Sequence, residues 1–557
     1  MLFRSTIDEE TSGVFDAQSI LGPGMFMIVD QAHYTYSSAS PGVVEGGQIL
    51  TMYNPETDRF NPEISVLGNN TLIAMNDTLP SSTDFTDFGA VSTTTNLTKS
   101  FVIKNTGNGV LYITDLGISG MSASEFGVVG GMPQLPISIA SNGYYNLAIN
   151  FAPNSSGVKK ALITLITSDI DESSYTFAVG GLGFLPGQMG PSTSQTPYLV
   201  STTPGVSFGS ILTAGDAVNG YKMCGTPDGI GAFDNNDGTF TLLVNHEFGN
   251  TVGSTRAHGS IGAFVSKWII NKSNLSVVSG SDLIKNVNLW NGTGYTLYNA
   301  SNPSTKAAFY RFCSADLPVT AAYFNSNTGK GTKERIFMNG EESGPEGRGF
   351  AHIVTGPNAG TSYELPFIGK YSMENLLACP IESDKTIVAG TDDATPGQVY
   401  FYVGSKSNAG TEIEKAGLVG GKVYGPSVTG LSSEASGSAP APDLTFSMVD
   451  LGIVRDSTGT ALNKMSDAKG VTTFLRPEDG VWDPNSKGDF YFVTTNSILA
   501  PSRLWRMRFT DINNPEKGGT ITALLDGTEG QKMFDNITID NSGHLILLED
   551  VGNNVHN

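Results

Sequence analysis

Short apolar runs that each stop at glycine, asparagine or aspartate recur along most of this chain. They are rich in β-branched and aromatic residues, as in FTLLVNHE, ERIFMNGE, KTIVAGTDD, QVYFYVGS, GDFYFVTTN and GHLILLED. Segments with the three- and four-residue spacing of amphipathic helices are scarce. Runs of this kind are typical of β-strands separated by turns, so the sequence predicts an all-β protein.

The length and the patterning predict more than one domain. A chain of 557 residues exceeds what one hydrophobic core usually serves. Residues 78–186 alternate apolar and polar residues in bursts such as KSFVIKNTG and YYNLAINFAP, which predicts the antiparallel strands of a β-sandwich. A linker rich in Gly, Pro, Ser and Thr is predicted at 187–199. From 200 to 557 the many strand-and-turn units favour a β-propeller over a second sandwich.

The acidic balance of the chain limits its partners. The net charge is −21 and the pI is near 4.6, and such a surface repels nucleic acid and anionic lipid while it suits cations. No apolar run is long enough to predict a membrane span. The three cysteines, Cys224, Cys313 and Cys379, form neither a CxxC pair nor a zinc pattern, and they leave the redox compartment open.

Polar and acidic clusters adjoin several of the predicted strands. These clusters are Asn245-His246-Glu247, Glu341-Glu342, Asp392-Asp393, Glu478-Asp479 and Glu549-Asp550. In a propeller the inner strands run towards one mouth of the channel, so acids at the ends of such strands are expected to converge there. Carboxylate and amide oxygens suit hard cations such as calcium or ferric iron. A lone NHE or PED after a strand is more often a turn with a solvated acid, and FDN is commonly an Asx turn. The three acids of GEESGPEG fit a metal site and a solvated turn about equally.

The order of the motifs NHE, RAHG, NGEESGPEG, FLRPEDGVWDP, SRLWRMRF, FDNI and LLED resembles that of the PhoX-like alkaline phosphatase family. That family is a β-propeller that holds iron and calcium in its channel and hydrolyses phosphate monoesters. The resemblance implies a six-bladed propeller over 200–557 and a metal-dependent phosphatase with calcium, and iron beside it, as cofactors. It also implies small phosphate-ester substrates and an extracellular, cell-surface or periplasmic location.

Carried over residue by residue, the resemblance implies a set of metal ligands. These are Asp228, Asn245, Glu247, Glu341, Glu342, Glu478, Asp535 and Glu549. Arg476 would contact the phosphate, because a guanidinium fork matches two phosphate oxygens, and His246 is the second candidate catalytic residue. Where the family places a metal-binding cysteine, the stretch GYKMCGTPDGIGAFD offers both Cys224 and Asp228, and either would be the ligand.

Residues 1–60 resemble the closing segment of the same family domain, through TIDEETSGVFD, FMIVDQAHY and VEGGQILTMYNP. The chain is therefore expected to be either a permuted domain with the sandwich inserted or a piece of a tandem array. Both cases predict Asp8, Glu9, Glu10 and His33 near the channel acids. The sandwich itself resembles the immunoglobulin-like repeats of hydin-like and bacterial surface proteins.

Two other functions fit the same sequence features. One is a non-catalytic, calcium-stabilised propeller that acts as a surface-binding or adhesive module. The other is a phytase-like phosphatase on the same class of fold. Bound iron together with calcium would favour the phosphatase, whereas calcium alone would favour the binding module.

Overall fold

The computed structural model of the protein describes residues 9–22, 24–32, 46–54, 61–184, 187, 189–203 and 206–550. Strands dominate these residues and the helices are short, so the predicted all-β fold class is confirmed. The chain divides into two compact units, Met1–Ile211 with Lys272–Leu275, and Leu212–Asn271 with Ser276–Asn557. The predicted domain boundaries themselves stay predictions.

The first unit begins with a three-stranded antiparallel sheet. Its strands are β1 (Glu9–Asp16), β2 (Met25–Ala32) and β3 (Gly46–Tyr53), in that order, and helix α1 (Gln18–Leu21) connects the first two. Asp8 and His33 lie outside the described residues, as do the side chains of Glu9 and Glu10. Their place near the channel acids therefore stays a prediction.

Two five-stranded sheets of the first unit enclose a common core. The strands are β4 (Ile64–Gly68), β5 (Thr71–Ile73), β6 (Asp87–Ser92), β7 (Leu97–Asn105), β8 (Leu111–Ser119), β9 (Phe126–Val128), β10 (Ile137–Ile139), β11 (Tyr144–Phe151), β12 (Gly157–Thr167) and β13 (Ser174–Phe184). One sheet has the order β10-β8-β12-β13-β6 and the other β5-β4-β7-β11-β9. Every second residue of β12 is buried, so Ile163 and Leu165 meet Phe101 of the opposite sheet. The predicted β-sandwich is confirmed, and its immunoglobulin-like character stays a prediction.

The second unit consists mainly of antiparallel meanders. After a hairpin of β14 (Ala217–Val218) and β15 (Tyr221–Lys222), the first meander is β16 (Pro227–Asp234), β17 (Thr239–His246), β18 (Phe264–Asn271) and β19 (Val277–Asp282). The next strands are β20 (Asn286–Trp290), β21 (Tyr295–Asn299), β22 (Phe312–Asp316), β23 (Phe324–Asn325), β24 (Lys330–Gly331), β25 (Ile336–Glu341), β26 (Gly349–Ile353) and β27 (Thr361–Glu364). Six of them form a sheet of order β21-β20-β27-β26-β25-β22, and β23 pairs with β24.

The remaining strands form two more meanders and the start of another. They are β28 (Met373–Ala378), β29 (Lys385–Asp392), β30 (Val399–Ser405), β31 (Lys422–Val428), β32 (Leu444–Gly452), β33 (Pro477–Trp482), β34 (Asp489–Thr494), β35 (Arg503–Phe509), β36 (Gly519–Leu525), β37 (Phe534–Ile539) and β38 (Leu545–Glu549). β32 joins the outer edges of the meanders β28–β31 and β33–β36 into one nine-stranded sheet, and β37 pairs with β38.

The helices and 3-10 turns are connections. Helices α2 (Glu412–Lys415) and α3 (Gly459–Ala468) belong to the second unit. The 3-10 turns are Ala123–Glu125, Thr305–Ala307, Thr320–Ala322, Pro366–Ile368 and Pro515–Lys517. Among the described residues, none of the helices has the length and apolar character needed to cross a bilayer.

The meanders, here called blades, are arranged radially. Strands β16, β22, β28, β33 and β37, here called the inner strands, pack against one another in chain order. Each is paired with an antiparallel second strand: β17, β25, β29, β34 and β38 respectively. Apolar side chains fill the space between blades, as where Met338 of β25 and Leu376 of β28 share one buried cluster. This arrangement confirms the predicted β-propeller. The number of blades, six by resemblance, stays a prediction.

Candidate metal centre

Among the described residues of the second unit, each inner strand has a β-bulge at its beginning. The first residue of each pairs with the last residue of its second strand, and regular pairing resumes only three residues later. The first pairs are Pro227–His246, Phe312–Glu341, Met373–Asp392, Pro477–Thr494 and Phe534–Glu549. A bulge takes residues out of the ladder and re-aims their side chains. Two residues near the beginning of every inner strand are thereby turned away from ordinary sheet packing.

The first bulged residue of each inner strand is an acid or a thiol. These residues are Asp228, Cys313, Glu374, Glu478 and Asp535. Because the second strand is antiparallel, the residue that follows its end lies at the same rim of the blade. Those residues are Glu247, Glu342, Asp393, Thr495 and Asp550. Each blade thus presents two polar side chains at one rim, and all but Thr495 are acids or a thiol.

Seven of these side chains form three overlapping groups. Within each group, one potential donor atom per residue lies within 4.8 Å of the others. The groups are Asp228, Glu247 and Cys313, then Cys313, Glu342 and Glu374, and finally Glu374, Glu478 and Asp535. Cys313 belongs to the first two groups and Glu374 to the last two, so the three groups form one continuous site, here called the channel cluster.

Residues at the second position of the bulges form hydrogen bonds next to the channel cluster. They are Ser314, Asn375, Asp479 and Asn536. Ser314 Oγ donates to Glu374 Oε1 at 2.6 Å, and Asn536 Nδ2 donates to Ser314 Oγ at 2.7 Å. Asn375 Nδ2 donates to Asp479 Oδ1 at 2.6 Å. These hydrogen bonds connect inner strands of different blades, and the bond from Ser314 holds the carboxylate of Glu374 in place.

Burial and the charges of neighbouring carboxylates raise the pKa values of several acids in the channel cluster. Burial and the charge of Glu247 raise the pKa of Asp228 to about 7. Burial and the charge of Asp550 raise the pKa of Asp535 to about 8. The pKa values of Glu374 and Glu478 are also raised well above their usual range, first by burial and then by neighbouring carboxylates. Such a set of acids is stable as carboxylates only beside positive charge.

Arg476 supplies part of that positive charge. Its Nε donates to Asp393 Oδ1 at 2.7 Å, and its Nη2 donates to Asp393 Oδ2 at 3.0 Å and to Glu478 Oε1 at 2.7 Å. The side chain keeps about a third of its surface exposed, at 32%. The guanidinium is therefore fixed at the edge of the channel cluster, on a side chain that is partly exposed to solvent.

A cavity of about 550 Å³ reaches the channel cluster at Glu342. Arg311, Glu341, Glu342 and Arg348 contribute charged side chains to its lining, and Tyr310 contributes a phenol. The cavity therefore gives a polar solute access to the rim of the channel cluster.

Five of the predicted metal ligands are brought together. Asp228, Glu247, Glu342, Glu478 and Asp535 all belong to the channel cluster. Of the two alternatives in GYKMCGTPDGIGAFD, Asp228 lies in the cluster, whereas the Cys224 thiol lies 3.7 Å from the carbonyl oxygen of Lys222. The expectation that acids converge where inner strands end is corrected: Glu478 lies at the beginning of β33, and Glu247 follows the end of a second strand.

Three other predicted ligands lie outside the channel cluster. Asn245 is fully buried, and its Nδ2 donates to the carbonyl of Cys313 at 2.6 Å, so it braces the inner strand β22. Glu341 accepts two hydrogen bonds from Arg348 at 2.6 and 2.7 Å. Glu549 accepts a hydrogen bond from the backbone N–H of Lys532 at 2.8 Å.

His246, predicted as a catalytic residue, is also outside the channel cluster. Its Nδ1 lies 3.0 Å from the carbonyl oxygen of Gly225, and its Nε2 lies 2.9 Å from Ser266 Oγ. Burial lowers the pKa of His246 to about 4. Both ring nitrogens are engaged inside the first blade, so the geometry gives this histidine a packing role between β17 and β18.

Sequence reasoning missed Cys313 and Glu374, although they link the three groups. Arg311, which bonds to two cluster carboxylates, was missed as well. A signal was present in the sequence: a bulky residue or proline, then an acid or cysteine, then a small or polar residue recurs as PDG, FCS, MEN, PED and FDN. The repeat is only three residues long and is spread over 310 positions, from 227 to 536, so it cannot be recognised without the blade boundaries.

A second acidic group lies in the first unit. It consists of Glu63, Asp169, Asp171 and Glu172. Asp169 Oδ2 accepts a hydrogen bond from the backbone N–H of Ile64 at 2.8 Å. The group contains no cysteine or histidine, and it differs from the channel cluster in that Glu63 and Asp171 are exposed.

No protein-family model and no curated protein matches the chain. Among solved structures, PhoX from Pseudomonas fluorescens in complex with vanadate is similar at 12% identity and a TM-score of 0.42, over 60% of this chain and 76% of that chain. A protein of unknown function from Porphyromonas gingivalis is similar at 15% identity and a TM-score of 0.17, over 29% of this chain and 67% of that chain. A PapD-like domain of human CEP192 is similar at 13% identity and a TM-score of 0.15, over 28% of this chain and 98% of that domain. These TM-scores are low, so the site is interpreted from its own geometry.

Proposed function

We propose that the second unit is a metal-dependent phosphatase that hydrolyses small phosphate monoesters at the channel cluster. The observation that carries the proposal is the position of Arg476, whose partly exposed side chain forms an ion pair with Glu478 of the channel cluster. Carboxylates clustered within a few ångströms of one another are suited to binding cations. A guanidinium at the edge of such a cluster is suited to binding an anion. A phosphate ester is an anion that would be attracted both by bound cations and by Arg476.

The residues of the channel cluster fit a metal centre in their chemistry. Six carboxylates offer the hard oxygen donors that calcium prefers, and Cys313 offers one soft donor suited to a transition ion such as iron. Burial, followed by the charges of neighbouring carboxylates, raises the pKa values of Asp228 and Asp535, and a bound cation would offset both effects. Asp228, Glu247, Cys313, Glu342, Glu374, Glu478 and Asp535 are the proposed ligands.

When bound, such cations supply Lewis-acid polarisation of the phosphoryl group and activation of water for in-line attack. The chain's own residues supply position and charge. Asp393 accepts two hydrogen bonds from Arg476 Nε and Nη2, so the guanidinium is oriented before substrate arrives. Arg476 then offsets charge on the equatorial phosphoryl oxygens as the transition state forms.

Hydrolysis of p-nitrophenyl phosphate by the calcium- and iron-supplemented protein tests the proposal. Arg476→Ala is expected to lower turnover by about 100-fold or more, as loss of a preorganised charge donor does. Arg508→Ala is the matched control. Arg508 forms an ion pair with Asp489 within the fourth blade, and neither residue belongs to the channel cluster. Turnover in Arg476→Ala equal to that of the control would remove Arg476 from the mechanism.

One observation favours a second candidate function, a calcium-stabilised binding module. The group of Glu374, Glu478 and Asp535 draws its members from three different blades, so a cation held there would link the blades mechanically. Elemental analysis of the purified protein separates the two functions. Iron together with calcium and measurable hydrolysis support the phosphatase, whereas calcium alone without hydrolysis supports the binding module. The extracellular or periplasmic location stays a prediction under both.

A further inference from the structure

Arg311 occupies the same structural position in its blade as Arg476 does two blades later. Each residue immediately precedes an inner strand, β22 for Arg311 and β33 for Arg476. Both have a positive φ, 37° for Arg311 and 60° for Arg476. Few residues other than glycine adopt this backbone conformation, and it tends to persist where surrounding contacts enforce it. The two arginines are therefore equivalent in the blade repeat.

The ion pairs of the two arginines follow the same rule. Each guanidinium bonds to the acid that follows the second strand of the preceding blade. For Arg476 this acid is Asp393, and for Arg311 it is Glu247, which accepts from Arg311 Nε at 2.7 Å. Arg311 Nη2 also contacts Glu342 Oε2 at 2.7 Å. Both arginines thus border the channel cluster, one at its first two groups and one at its last.

Arg311 differs from the other arginine at the cavity in the exposure of its side chain. Its side chain is 42% exposed and forms part of the lining of the 550 Å³ cavity. Arg348 lines the same cavity but is only 20% exposed, and Glu341 holds two of its nitrogens. Arg311 is therefore the more exposed of the two arginines that line the cavity.

The partners of Arg311 explain why such a turn would follow metal binding. Glu247 and Glu342 belong to two different groups of the channel cluster, and Arg311 neutralises both in the present structure. A cation held by these carboxylates would take over that neutralisation and repel the guanidinium. The nearest open space for the displaced side chain is the cavity that it already lines.

We propose that Arg311 is a second phosphate-contacting residue of the channel cluster, equivalent to Arg476 and lining the cavity beside Glu342. This inference rests on the proposed phosphatase function for the identity of the anion. A phosphoryl group has enough oxygens to accept hydrogen bonds from two guanidinium forks. Arg311 would orient the substrate, and the cavity beside it would receive the leaving group.

Calorimetric titration of inorganic phosphate into the calcium-loaded full-length protein tests the inference without relying on turnover. Arg311→Gln is expected to bind phosphate at least about tenfold more weakly than the wild type, because a charged hydrogen-bond donor is lost. Arg311→Lys is expected to fall between them, since it keeps the charge and loses the fork. Arg508→Gln removes the same charge away from the cluster and is expected to match the wild type.

A parallel titration with calcium chloride alone checks that each variant still binds the metal. Wild-type phosphate affinity in Arg311→Gln, with wild-type calcium stoichiometry, would overturn the inference. Loss of calcium stoichiometry in both Arg311→Gln and Arg311→Lys would also overturn it, because Arg311 would then support the ligands and not the anion. If the wild type binds phosphate through Arg311 yet hydrolyses no monoester, the phosphatase proposal fails and the anion contact stands.

Discussion

At the scale of single residues, Cys313 is the most unusual member of the channel cluster. Its Sγ lies 3.1 Å from Glu247 Oε1 and 2.9 Å from Glu342 Oε2. Burial, followed by the charges of neighbouring glutamates, raises the pKa of the thiol far above its usual range. Without metal, Cys313 is therefore a protonated thiol that donates to carboxylates. A metal ion that binds there must displace the thiol proton.

Cys313→Ser is expected to lower the affinity for a transition ion much more than the affinity for calcium. The reason is that thiolate favours softer ions, whereas the oxygen donors of the cluster are kept. Cobalt(II) is a suitable probe, because cobalt–thiolate coordination produces a charge-transfer absorption in the near ultraviolet. Cys224→Ser is the matched control, since Cys224 lies outside the cluster. A charge-transfer band that survives in Cys313→Ser but disappears in Cys224→Ser would contradict this assignment.

At the scale of elements, the bulges of the inner strands determine where the donors point. In β16 the bulge includes Gly229, and a Cβ at this position would lie 2.4 Å from the backbone nitrogen of Ala315 in β22. Real Cβ atoms do not approach backbone so closely. The close contact of β16 and β22 at Gly229 is therefore what brings Asp228 and Cys313 within reach of one another.

Gly229→Ala is expected to separate the first two inner strands and to destabilise the second unit by about 1–3 kcal/mol, as overpacking does. Calcium affinity should fall with it, because Asp228 moves away from Cys313. Gly225→Ala is the matched control: its Cβ would have no neighbour within 4 Å. Chemical unfolding and calcium titration of both variants provide the measurement. Equal stability and equal calcium affinity in the two variants would contradict the role given to the bulge.

The same elements show what the sequence could and could not predict. The second strands were predictable, because buried runs such as FTLLVNHE and ERIFMNGE, which include β17 and β25, stand out as apolar stretches. The inner strands were harder to recognise, since a bulge interrupts their alternation within the first residues. Cys313 and Glu374 were missed for that reason. The structure places His246 and Asn245 outside the channel cluster, because sequence proximity to Glu247 does not show which side chains a strand buries.

At the scale of the whole molecule, the chain is strongly acidic, with a net charge of −21. The second unit contains the clustered acids of the channel. The folded-state pKa values of Asp228 and Asp535, about 7 and about 8, are above the ordinary value of 3.8. In metal-free protein, therefore, the folded state binds more protons than the unfolded state at pH values between 3.8 and about 7 to 8. Stability from these groups is present near pH 4 and is lost as the pH rises through about 7 to 8.

Metal-free protein is accordingly expected to unfold at a lower temperature at about pH 8.5 than at about pH 5. Calcium should raise the unfolding temperature more at the higher pH, because at the lower pH protons compete for the same carboxylates. The four tryptophans, Trp268, Trp290, Trp482 and Trp505, all belong to the second unit, so their fluorescence monitors that unit alone. A calcium effect of equal size at both pH values would contradict the expected linkage.

The central claim is that side chains from successive inner strands hold shared cations at one rim of the propeller. Anomalous diffraction from crystals of the calcium-loaded protein tests it most directly. The expected result is at least one anomalous peak within about 2.3–2.6 Å of carboxylate oxygens from two or more blades, with Glu374 or Glu247 among the ligands. An anomalous map with no peak at any of the three groups, in crystals that show the ion elsewhere, would contradict the claim.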